Sequence, residues 1–91
     1  MKFETGDIYM TAGIAGKFQN DIIFMTFIIE CIKKYREGNW GVTEKEDCKR
    51  NEIALENGER IFAVYKDRGK KIWIITEWNR SYTTIMFPEE Y

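Results

Sequence analysis

IFAVYKDRGKKIWIITEWNRSYTTIMFPEEY, residues 61–91, decides the fold. Successive side chains of a strand point to opposite faces, so a period of two sorts the residues into sides. Ile61, Ala63 and Tyr65 fall on one face, with Phe62 and Val64 on the other. Ile72, Ile74 and Thr76 likewise oppose Trp73 and Ile75. Asp67-Arg68-Gly69-Lys70 separates these runs and reads as the turn of an antiparallel hairpin. A third strand over about 82–87 follows and stops at Pro88. Both faces are apolar, which is unusual for a sheet with one side in water. Either two helices cover both faces, or one face is a subunit or partner interface.

Between the second and third strands lies a polar knot, Glu77-Trp78-Asn79-Arg80-Ser81. It holds more chemistry than a turn requires, since Asn-Gly or Asp-Gly would suffice. Glu77, Arg80 and Glu89 or Glu90 can be read as an acid–base cluster, or as a structural ion pair closing the turn. Ser81, Thr83 and Thr84 can be read as phosphate donors with Arg80 as counter-charge, although threonine is also a good strand former. Trp78 and Tyr82 are candidate contact aromatics, whereas Trp40 and Trp73 read as core.

Upstream the period changes. DIYMTAG, residues 7–13, reads as a short strand ending at Gly13, with Gly16 keeping the next connection loose. From about Asn20 to Arg36 the spacing is helical: Phe24, Ile28, Cys31 or Ile32, and Tyr35 recur at steps of three and four. Met25, Ile29 and Ile32 widen the apolar arc, and Asn20 or Asp21 is the expected cap. Thr43-Glu44-Lys45-Glu46 has the pattern of a capping box opening a second helix over about 44–57, which Asn57-Gly58 should stop. The expected fold is therefore α+β: a short N-terminal strand, two helices, then a three-stranded antiparallel meander packed on the first helix. Residues 1–91 are expected to form one compact domain, because a chain of this length has room for a single core.

Composition narrows the function classes. There is no histidine, which removes Ser-His-Asp and Cys-His catalysis and the usual general base near neutral pH. Cys31 and Cys48 form no metal-ligand spacing and are too few for a disulfide scaffold, so reduced thiols in the cytoplasm are expected. No cofactor or metal is expected, and there is no Gly-rich phosphate loop. The start MKFETGDIYM lacks the apolar core of a signal peptide, and the apolar run 22–32 is too short to span a bilayer. A net charge of −1 argues against direct nucleic-acid binding. The charge is uneven, however. Arg60, Lys66, Arg68, Lys70, Lys71 and Arg80 outnumber Asp67 and Glu77 within residues 60–80, while residues 38–59 are acidic. Lys66, Arg68, Lys70 and Lys71 crowd the hairpin tip, either as a solvated end or as a docking patch.

The blocks Gly38-Asn39-Trp40-Gly41 through Lys49 and Asn51, Gly58-Glu59-Arg60, Lys71–Glu77, Arg80-Ser81, Thr83-Thr84-Ile85 and Pro88-Glu89-Glu90-Tyr91 resemble a family of small proteins from bacterial prophages and plasmids. Members often carry aspartate where this chain has Asn79. The resemblance implies a mobile element, a setting in which small accessory proteins counter host defences such as restriction or CRISPR. The leading expectation is thus a non-enzymatic interaction protein with a host defence component as its partner, and with a homodimer as a further arrangement. Its surface would be Trp78, Asn79, Arg80, Ser81, Tyr82 and Thr83 together with Lys66, Arg68, Lys70 and Lys71. The alternatives are sequestration of a small anionic nucleotide by Arg80, Ser81 and Thr83 beside Trp78 or Tyr82, and a carboxylate-based enzyme using Glu77.

Overall fold

The structure is a computed structural model that describes residues 2–91. The elements in chain order are β1 (Asp7–Met10), α1 (Ala12–Asn20), α2 (Ile22–Arg36), α3 (Lys45–Asn57), β2 (Ile61–Asp67), β3 (Lys70–Thr76), β4 (Tyr82–Met86) and a 3₁₀ turn, Pro88–Glu90. The fold is α+β, with three helices in place of two and a mixed sheet in place of an antiparallel meander. Its four strands are ordered β1-β4-β3-β2, and β1 runs parallel to β4 in the register Asp7↔Tyr82 to Met10↔Ile85. Sequence alternation could show that residues 7–10 are extended, but not which strand they join.

The meander forms at the expected residues. Ile61 pairs with Thr76 and Asp67 with Lys70, while Trp73 pairs with Met86 and Thr76 with Thr83. Arg68 and Gly69 both have positive φ, 51° and 83°, as a tight hairpin turn of the primed type requires. The inner face of the sheet meets α2, whose Phe24, Ile28, Cys31 and Tyr35 join Ile61, Ala63, Tyr65, Ile72, Ile74 and Ile85 in one core. Asp21 begins α2 by accepting from the Ile23 and Phe24 amides at 3.0 and 3.1 Å. Ile29, expected in the wider apolar arc, is exposed.

The N-terminal strand stops at Met10 rather than Gly13, and Gly13 and Gly16 lie inside α1. This helix receives its cap from the far end of the chain. The Glu90 carboxylate accepts from the Thr11 hydroxyl at 2.6 Å, the Gly13 amide at 2.9 Å and the Phe87 amide at 2.9 Å. These bonds hold the Glu90 carboxyl below the usual glutamate range, the Thr11 hydroxyl contributing most. A side chain at Gly13 would put its Cβ 2.5 Å from that carboxylate.

The capping box at Thr43 does not form. The Thr43 hydroxyl donates to the Trp40 carbonyl and accepts from the Val64 amide at 2.8 Å, leaving Glu44 as a cap without a side-chain bond. Gly58, at φ 68°, ends α3 as expected. Asn51 then reads the open edge of β2 as a neighbouring strand would: its amide nitrogen donates to the Phe62 carbonyl at 2.7 Å, and its oxygen accepts from the Phe62 amide at 3.1 Å. The Val42 amide donates to the Val64 carbonyl at 2.9 Å. Helix α3 therefore seals the β2 edge. The outer face of the sheet is only partly covered.

Candidate functional site

That outer face carries the second apolar set, Phe62 and Val64 of β2, Trp73 and Ile75 of β3 and Met86 of β4, together with Thr84. Phe62 and Trp73 meet edge to face, with ring centres 5.1 Å apart. Tyr91 crosses above Trp73 at 5.5 Å. Between this cover and α3 a cavity of about 320 Å³ opens, lined by Asp47, Arg50, Arg60, Phe62, Trp73 and Tyr91. A second cavity of about 330 Å³ shares Asp47, Phe62 and Trp73 and continues to Lys71 and Pro88. The two form one groove running along the strands.

The strand side of the groove is apolar in the middle and has basic residues at both ends, while Asp47 and Glu44 line its α3 side. At one end Arg60 lies 5.8 Å over the Tyr91 ring and donates to its hydroxyl at 3.1 Å. Arg50 stands opposite on α3, in an exposed ion pair with Asp47 at 3.8 Å. Such a pair contributes little and leaves the guanidinium available. At the other end Lys66 and Lys71 face each other across the β2–β3 ladder. The aromatic surface extends beyond the groove, since Tyr82 and Tyr9 lie on the same face and touch at 6.0 Å.

Of the residues singled out in the sequence, Lys66, Lys71 and Tyr82 therefore reach this face. Arg68 sits at the hairpin apex, and Lys70 turns to the other side, with its ammonium 5.6 Å from the Phe87 ring. The knot stands at the opposite end of the strands. There Arg80, at φ 60°, donates to the Ala54 carbonyl at 2.9 Å, Glu59 at 2.6 Å, Glu77 at 3.2 Å and Trp78 at 3.1 Å. Carbonyls thus take the place of the carboxylate of the expected ion pair. A cation here also complements the negative end of α3. Asn79 accepts from the Ser81 amide at 3.1 Å and hydroxyl at 2.7 Å, a turn that an aspartate would close equally well.

Thr83 is 1% exposed, and its hydroxyl donates to the Thr5 carbonyl at 2.7 Å. It must then accept from Thr76 at 2.7 Å, which in turn accepts from Tyr35 at 2.7 Å. Burial pushes the Tyr35 hydroxyl well above its usual range. This buried chain ties α2 to the sheet and leaves Thr83 far from any surface ligand. Within the knot, Trp78 remains 64% exposed. The burial of Cys31 pushes its thiol up to about 12, and burial also raises that of Cys48, so neither is a thiolate near neutral pH.

Arg50 was not singled out in the sequence, Arg60 and Tyr91 were noted there without a contact role, and Trp73, read as core, lies half-buried on the outer face. The double apolar pattern of β2 and β3 was the signal for Phe62 and Trp73, with Arg60 in phase with Phe62, whereas Arg50 on α3 and Tyr91 at the chain's end had none. Among the described residues no His/Cys/Asp/Glu group could hold a metal ion, and no helix is long and apolar enough to cross a membrane. The fold and groove define a small α+β domain with one sheet face closed by helices and the other half open. Comparison with protein-family models, with curated proteins and with solved structures gives no match.

Proposed function

We propose that this chain is a non-enzymatic interaction protein that docks a protein partner across the outer face of its sheet. The observation that carries this reading is the groove, where Trp73, Phe62 and Tyr91 meet Arg50 and Arg60. Buried tryptophan, tyrosine and arginine are the residue types that dominate binding energy at protein interfaces. The resemblance to prophage and plasmid proteins supplies the setting: a bacterial mobile element whose partner belongs to a host defence system such as restriction or CRISPR. Photo-crosslinking residues placed at Lys71 and Tyr91, with Ile29 on the opposite helix face as control, test the surface in a bacterial lysate. Adducts from the outer face alone are expected, and adducts equal at Ile29 refute it. Expression in cells carrying an active defence system should raise phage plating, and unchanged plating across several systems refutes the setting.

A second reading, sequestration of a small anionic nucleotide, is favoured by the same two guanidiniums beside aromatic rings in a cavity of about 320 Å³. It now rests on Arg50 and Arg60 instead of Arg80 and Thr83. Thermal-shift screening with nucleotides separates the readings, since a partner-binder shows no shift.

A further inference from the structure

We infer that the occupant of the groove is an amphipathic α-helix with acidic residues at both ends of its apolar face. This rests on the reading of the outer face as a partner surface, and it adds the shape and charge of what binds. At the β2 edge the Phe62 amide and carbonyl are held by Asn51, and those of Val64 by Thr43 and Val42. No strand can add there. An extended peptide laid on the face of the sheet, away from an edge, would leave its own amides and carbonyls unpaired. A helix satisfies these groups internally and offers a continuous apolar stripe. The inner face already accepts the 15-residue α2 in this manner.

Length and charge then narrow the helix. From Arg60 to Lys66 the groove follows six residue steps of β2, which at about 3.3 Å each is roughly 20 Å. A helix rising about 1.5 Å per residue covers that span in roughly 13 residues. Arg50 and Arg60 stand at one end and Lys66 and Lys71 at the other. Asp47 and Glu44, on the α3 side, offset only part of this charge. Among the described residues Arg60, Lys66 and Lys71 have no carboxylate within ion-pair distance. Phe62, Val64 and Trp73, all half-buried, between them meet the apolar stripe.

The test uses the full chain, labelled with ¹⁵N, and three synthetic 15-residue peptides. One has a leucine stripe at helical spacing with glutamates at both ends, the second has lysines in their place, and the third is the first with a central proline. The glutamate peptide should shift the Trp73 indole and the amides of residues 62–66 and 71–75. It should bind at least about tenfold more tightly than the lysine peptide at low salt. The double variant Arg60→Glu with Lys71→Glu, checked for an unchanged melting temperature, should reverse the preference. Equal binding of the two charged peptides overturns the inference, as does full binding of the proline peptide or a footprint on Ile22 and Ile29. If crosslinks place a natural partner on the outer face while the glutamate peptide fails to bind there, the helix inference falls alone. If the crosslinks themselves fail, both readings fall.

Discussion

Replacing Arg80 by methionine should unfold the knot from α3 and cost the domain about 2–4 kcal/mol. Arg80 reaches four carbonyls, but three of them share Nη1, which has only two hydrogens. The Ala54 and Glu77 carbonyls are partly buried, while those of Glu59 and Trp78 are exposed and regain water when the guanidinium leaves. Two part-buried acceptors at about 1–1.5 kcal/mol each, plus about 0.3–1 kcal/mol for the charge at the helix end, give that range. For a domain of this size the melting temperature should fall by roughly 10–30 °C. Lysine keeps the charge and part of the bonding, so Arg80→Lys should lose about half as much. The backbone offers a second check. At φ 60° glycine is less strained than alanine, so Arg80→Gly should exceed Arg80→Ala in stability by about 1 kcal/mol. Urea unfolding followed by tryptophan fluorescence and circular dichroism measures both. A methionine variant within about 0.5 kcal/mol of the parent would refute the structural role of Arg80, and an alanine variant as stable as glycine would refute the strain.

Other parts of the fold yield equally direct tests. Thr76→Val breaks the chain from Tyr35 to Thr83 inside the core and should cost about 1–3 kcal/mol in urea melts. Asn51→Leu exposes the Phe62 amide and carbonyl at the β2 edge; it should lower stability by a similar amount and promote self-association visible by light scattering. Gly16→Ala meets open space inside a helix and should stabilise by about 0.5–1 kcal/mol, whereas Gly6→Ala, whose Cβ would fall 2.2 Å from the Ser81 carbonyl oxygen, should unfold β1 from β4. The Glu90 carboxyl is depressed in the folded state, so its contribution is present above the ordinary value of 4.5 and is lost as pH falls through the folded value. Melting temperature measured from pH 6 to pH 3 should fall less steeply below pH 4.5 for Glu90→Gln than for the parent.

The meander, its turns and α2 were legible because their signals are local. Alternation over five or six residues, a Gly at the hairpin apex and apolar steps of three and four each bias their own segment. The helix α1 escaped because its cap is Glu90, nearly the whole chain away, and AGIAGKFQN offers only Ile14 and Phe18 as an apolar pair. Thr43 misled for the opposite reason. Its local pattern is that of a helix cap, but the nearby edge of β2 competes for its hydroxyl and wins. The candidate site divides in the same manner. Lys66, Lys71 and Tyr82 reach the outer face through strand parity, while Arg80, Asn79 and Thr83 were singled out for chemistry that the fold uses on its own backbone.

By itself the sequence determined that residues 61–91 make strands with two apolar faces, that a helix packs on one of them, and that histidine-based chemistry is absent. Only the tertiary structure decided what covers each face, that β1 joins in parallel beside β4, and that Arg50, Arg60, Trp73 and Tyr91 converge on one groove. The physical reason is range. Periodicity and turn chemistry act between neighbours along the chain, whereas a groove is a property of residues dozens of positions apart, brought together only when the core closes.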